Sequence, residues 1–117
     1  MPKDRHALLG IADAIQAVDL YTAPFTSADE FYATRVNFDA AMMNFIVIGE
    51  MVDRISDTFK TAHPEVDWKQ IKGLRNIIAH DYFGVDAEEL WQIIKKYLPS
   101  LKQTVSILLN SFTGKKQ

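Results

Sequence analysis

The sequence predicts an all-α fold, an up-and-down bundle of about five to six helices. Three observations carry that prediction. Apolar residues recur at steps of three and four almost throughout. Helix-start signatures are spelled out in full at several points. No strand-length alternation, glycine-rich phosphate loop or internal repeat occurs.

Taken in order, Leu8, Ile11, Ile15 and Val18 line one face of a first helix. It should stop near Tyr21–Pro24, because a proline disfavours helical geometry at the residue before it. Ser27 and Glu30 have the spacing of a capping box for a second helix. A long middle segment carries Phe38, Met42, Phe45, Ile48, Val52, Ile55 and Phe59, the pattern of one helix buried along a seam and ended by Pro64. Around Phe45–Gly49 it is apolar on nearly every side, so it should be central or face a second subunit. At VDWKQI, Asp67 caps, Gln70 closes the box, and Val66 and Ile71 occupy the staple positions. VDAEEL repeats the arrangement with Asp86, Glu89, Val85 and Leu90, so helices should start near Trp68 and Ala87. Pro99 should kink or restart the chain. Leu101, Val105, Leu108 and Leu109 then mark a last helix, and the SFTGKKQ tail should fray.

Bulk properties narrow the function. At 117 residues the chain is expected to be one domain, 1–117, large enough to bury a core. It contains no cysteine, which excludes disulfides, thiolate metal sites and cysteine nucleophiles together and agrees with a cytoplasmic location. MPKDRHALLG does not read as a signal peptide, and the most apolar run, interrupted by Asn44 and Glu50, is too short to span a bilayer. The net charge of −2 exerts no global pull on nucleic acid, so RNA binding would need a local patch.

The stretch GLRNIIAHDYFGVD, Gly73–Asp86, sets Arg75, Asn76, His80, Asp81 and Tyr82 among apolar neighbours. Singly, each has an ordinary explanation: a solvated basic face, a surface hydrogen bond between His80 and Asp81, an aromatic core pair. Together they suit phosphodiester chemistry. A histidine can accept and donate protons near neutrality, and an arginine offers a permanent, planar cation to phosphate oxygens. Those two parts would let an RNA 2′-hydroxyl attack its own phosphodiester, with no metal required. Lys69 and Lys72, spaced by threes from Arg75, could hold the RNA backbone. Asn76 could orient His80 or donate to a phosphate oxygen. Leu74, Ile77, Ile78, Ala79 and Phe83 should anchor the helix against the bundle or a twin subunit. One difficulty is geometrical: residues five apart diverge by roughly 140° on a regular helix. Either the helix ends or distorts near His80, with Gly84 helping the exit, or two chains share the site.

The run RNIIAHDY resembles the R-x4-H-x-Y motif of the HepT-like toxins, a branch of the HEPN (higher eukaryote and prokaryote nucleotide-binding) superfamily. IGEMVDRIS resembles that family's IGE-containing helix, HPEVDWKQIKGLRN its Pro-x-x-x-Trp-x-x-x-x-Gly lead-in, and FGVDAEELWQII its following helix. The likeness runs in order from about Val36 to Leu109. It implies a metal-independent RNA endonuclease, the toxin of a type II toxin–antitoxin pair, without cofactor. It further implies a homodimer whose two motifs line one cleft, Arg75 and His80 as catalytic residues, and Asn76 as the polar residue that commonly follows the motif arginine. Tyr82 matches the tyrosine that receives AMP from the partner antitoxin, a minimal nucleotidyltransferase. Two other classes stand beside this reading. One is a non-catalytic dimeric adapter or nucleotide-binding module. The other is a metal phosphohydrolase on His80–Asp81, for which only His6 and His63 remain as further histidines.

Overall fold

A computed structural model describes residues 2–115. Its elements are α1 (Pro2–Thr22), α2 (Ala28–Ala33), α3 (Arg35–Arg54), α4 (Asp57–Ala62), α5 (Trp68–His80), a 3₁₀ turn (Tyr82–Gly84), α6 (Ala87–Gln92), a π turn (Ile93–Tyr97) and α7 (Leu98–Lys115). The last three run on without a break, so six helices form the described residues, with no strand among them.

The long helices alternate in direction. Asp4 meets Ser56 and Tyr21 meets Asn37, which sets α1 and α3 antiparallel. Arg75 meets Asp53 while Tyr82 meets Phe38, which does the same for α3 and α5. Lys102 meets Asp19, and Phe112 stacks on Phe59, so α7 descends beside α1. This is the up-and-down bundle the periodicity predicts. Its core joins Leu8, Ile15, Phe38, Ile48, Leu98 and Val105, among others, from all four long helices. An aromatic cluster closes one end, with the Phe31 ring 5.2 Å from Phe38 and 5.6 Å from Trp91.

The N-caps are realised, while the reciprocal half of the boxes is not seen among the described residues: the Glu30 carboxylate accepts from Thr26 N–H rather than Ser27 N–H. Ser27, Asp67 and Asp86 each accept from backbone N–H groups of the turn they precede, and Val66, Ile71 and Leu90 are buried at the staple positions. Pro99 lies in the first turn of α7. Lacking an N–H, it cannot close a bond one turn back. The chain adapts through the π turn, in which Leu98 N–H bonds to the Ile93 carbonyl, and the helix continues.

Two expectations are corrected. The middle segment is not one helix to Pro64: Ile55 is extended (ψ 137°), and a new helix starts behind Ser56. The cause lies outside the segment. Asp4 is fully buried, and its carboxylate accepts from Ser56 N–H at 2.7 Å and Ser56 Oγ at 2.8 Å. Ser56 Oγ in turn caps α4 through Phe59 N–H. A buried carboxylate must be satisfied, and breaking the helix here supplies its donors. At the other end, backbone helix persists through most of SFTGKKQ to Lys115; Lys116 and Gln117 lie outside the described residues.

Candidate active site on the α3–α5 seam

Helix α5 begins where Asp67 caps it and ends at His80, where Asp81 leaves helical geometry at φ −145°, ψ 61°. Gly84 then approaches the Asp81 carboxylate so closely that a Cβ there would overlap it. The glycine supports the exit by being small; its φ is not positive.

Arg75 points at α3. Its stem lies on Gly49, where any Cβ would overlap the Cβ and Cγ of Arg75. Its side chain is only 11 % exposed. All three guanidinium nitrogens have acceptors: Nε donates to Asn76 Oδ1 at 2.8 Å, Nη1 to Glu50, and Nη2 to Asp53 at 2.9 Å. Asp53 also meets Lys72 Nζ at 3.3 Å. Burial alone would raise the Asp53 pKa, but hydrogen bonds from Arg75 and Lys72 outweigh it and hold the carboxyl below its usual value. The hydrogen bond to Asp53 likewise pushes Arg75 further up, so it is a permanent cation here.

His80 occupies a different face. It is exposed and makes no hydrogen bond to Arg75, Asn76 or Asp81 among the described residues. With α5 regular to its last residue, the two side chains leave it about 7.5 Å apart along the axis and roughly 140° around it. Within one chain the sequence-predicted pair is therefore not brought together. Asn76 orients Arg75 and not His80, which corrects one of the two roles expected for it. Lys69 is exposed and makes no ion pair among the described residues, whereas Lys72 is engaged by Asp53. Asp81 is exposed beside Gly84.

The apolar residues of the stretch divide. Ile78 is buried, and Leu74 packs partly against the core. Ile77 and Ala79 are exposed, and Phe83 is 84 % exposed. These three do not anchor the helix against the chain's own core: Ile77 and Ala79 lie on the outer face of α5, and the 3₁₀ turn carries Phe83 outward while Tyr82 turns inward. The Tyr82 ring packs edge-on to Phe38 at 6.1 Å, its hydroxyl donates to Asp39, and the Arg35 guanidinium lies 5.6 Å from its centroid. Burial first, and the hydrogen bond to Asp39 second, push its pKa up to about 12.

Sequence reasoning missed Glu50, Asp53, Asp39 and Arg35 as partners. A signal was present for two of them: acids three apart on α3 and bases Lys72 and Arg75 three apart on α5 match across antiparallel helices.

A family model described as ribonuclease HepT-like matches residues 11–108. The chain belongs to the HepT-like ribonuclease family. It is 35 % identical over 92 residues to a probable ribonuclease HepT of Thermococcus cleftensis, covering 79 % of this chain and 83 % of that one. A putative RNase of Methanocaldococcus jannaschii is 38 % identical over 80 residues, 68 % of this chain and 73 % of its own. Another, of Caldanaerobacter subterraneus subsp. tengcongensis, is 34 % identical over 83 residues, 71 % and 74 % respectively. No solved structure matched the chain. Ribonuclease function and an RNA substrate follow from membership in the HepT-like family. Among the described residues, no helix is long and apolar enough to cross a membrane.

Proposed function

We propose that this HepT-like ribonuclease is a metal-independent endonuclease and the toxin of a type II toxin–antitoxin pair. The observation that supports the reading most is a guanidinium fixed on the α3–α5 seam and an exposed imidazole at the end of the same helix, in a chain of a ribonuclease family. His80 takes the proton of a 2′-hydroxyl, whose oxygen attacks the adjacent phosphorus. The P–O5′ bond breaks, a proton returns to the departing 5′-oxygen, and a 2′,3′-cyclic phosphate remains. Arg75 stabilises the charge that builds on the phosphoryl oxygens. Lys69 and Lys72 hold flanking phosphates, Asn76 steadies the guanidinium, and Asp81 supports the end of the helix beside His80.

The divergence of Arg75 and His80 favours a homodimer in which two copies of the motif line one cleft. Helix α3 offers a seam for it: Val36 and Met43 are 80 % and 59 % exposed, and Ala40 and Val47 continue the 4-3-4 spacing between and beyond them. Control is by transfer of AMP to Tyr82 from a minimal nucleotidyltransferase antitoxin. The added phosphate and adenine would repel and block RNA at the cleft.

A digest of single-stranded RNA in excess chelator tests the reading. The wild-type protein should cut internally and leave cyclic phosphate ends, while Arg75→Ala and His80→Ala should be folded and inactive. Continued cutting by both variants overturns it. Mass spectrometry after co-expression with a nucleotidyltransferase should place adenylate on Tyr82.

A further inference from the structure

Every nitrogen of the Arg75 guanidinium already has an acceptor before RNA arrives. Arg75 and Lys72 carry two positive charges, and Glu50 and Asp53 carry two negative ones, so the cluster as it stands is electrically balanced. Three of the five guanidinium N–H groups are taken and the charge is already balanced, so a phosphodiester gains most when one carboxylate gives way. The arginine cannot leave to meet the phosphate, because its stem is pinned on Gly49 and its side chain is nearly buried.

The two carboxylates are not equivalent. Asp53 is held from two directions, by Arg75 Nη2 at 2.9 Å and Lys72 Nζ at 3.3 Å, and its side chain is 36 % exposed. Glu50 is 54 % exposed, and Arg75 is its one ion-pair partner among the described residues. A single exposed ion pair is weak and easily exchanged. One with two charged hydrogen-bond donors is the stronger tether. Glu50 also lies three residues beyond the partly buried Val47 on α3 and is itself exposed, so solvent and ligand reach its carboxylate.

We propose that Glu50 and Asp53 are positioning residues of opposite kind for Arg75: Asp53 anchors the guanidinium, and Glu50 is a displaceable partner whose place at Nη1 is taken by a phosphodiester oxygen when RNA binds. The proposal rests on the reading of Arg75 as the phosphate ligand. Exchange at one edge leaves the other two nitrogens in place, so the cation meets the phosphate already oriented. It also keeps the charge of the cluster unchanged, since one anion replaces another. The balanced resting state disfavours other anions that cannot fill the Nη1 position in register.

The two roles predict shifts of opposite sign, which a purely structural role for both acids would not produce. The binding probe is a single-stranded oligoribonucleotide with 2′-O-methyl groups, which cannot be cleaved; the matching unmodified RNA gives kcat and KM. Glu50→Gln should bind the probe about two- to fivefold more tightly, the range of one exposed ion pair, and should lower KM more than it alters kcat. Asp53→Asn should weaken binding and lower kcat about tenfold, and Asp53→Glu should recover part of the loss. Shifts in the same direction for Glu50→Gln and Asp53→Asn, or no change in Glu50→Gln, overturn the proposal. Arg75→Ala separates the two levels of argument. If it binds the probe like wild type, the phosphate-ligand reading itself is wrong. NMR of the Arg75 side chain then decides on the carboxylates alone. Rotation about Nε–Cζ should quicken more in Asp53→Asn than in Glu50→Gln, and the reverse order removes the distinction between anchor and displaceable partner.

Discussion

Gly49 and Arg75 touch backbone to stem: the space a Cβ would occupy on Gly49 is filled by the Cβ and Cγ of Arg75. The backbone of α3 and the stem of the catalytic candidate on α5 are therefore in direct contact. Gly49→Ala should force the helices apart and cost about 1–3 kcal/mol of stability, the usual penalty for overpacking. Urea unfolding measures that. RNA cleavage should fall further than the loss of folded protein explains, because Arg75 moves with the seam.

Arg75→Lys should not rescue function. A lysine keeps the charge but cannot reach Glu50, Asp53 and Asn76 with three separately directed nitrogens. Loss of charge-assisted hydrogen bonds of about 1.5–3 kcal/mol predicts a fall in kcat/KM of about 10- to 100-fold, read from steady-state RNA cleavage.

Tyr82 should ionise near pH 12, later than an ordinary phenol, and ultraviolet difference titration of wild type against Tyr82→Phe can follow it. Burial is the larger cause and the Asp39 carboxylate the second, so Asp39→Asn should lower the value without restoring it fully. The folded pKa lies above the unfolded one. The stability this group contributes is thus complete below about pH 10 and declines as pH rises through about 12. Tyr82→Phe should flatten that alkaline decline.

Phe83 and Phe31 are both aromatic, yet only the second is inside. Phe83→Ala should change stability by no more than about 0.5 kcal/mol, as for an exposed site. Phe31→Ala, which removes a fully buried ring packed on Phe38 and Trp91, should cost about 3–5 kcal/mol. Thermal or denaturant melts of the two variants make the comparison.

Met43→Asp probes the proposed twin contact. A charge set into the apolar α3 stripe should shift the protein toward monomer in sedimentation or light scattering, with the helical circular dichroism kept. Cleavage should fall with the dimer if the motif needs both copies. A wild-type protein that is already monomeric at assay concentration counts against the shared cleft.

The helices and their starts were legible because their causes are local. Asp67 and Asp86 satisfy N–H groups two or three residues ahead, and the 3.6-residue repeat of apolar side chains needs no knowledge of the partner surface. The break at Ile55 was not legible, because it depends on Asp4, 52 residues from Ser56. The motif itself was visible, but the company of Arg75 was not: Asp53 and Glu50 are 22 and 25 residues away, and Asp39 is 43 from Tyr82.

The order of residues by itself determined an all-α chain, the place where α5 begins, and the presence of a permanent cation and an imidazole five positions apart. Tertiary structure alone decided that the cation is held by two carboxylates against a glycine while the imidazole faces outward, and that Phe83 stands in solvent. The physical reason is that helical geometry fixes only the angle between side chains on one cylinder. What each one meets depends on the neighbouring cylinder, and long-range packing sets that.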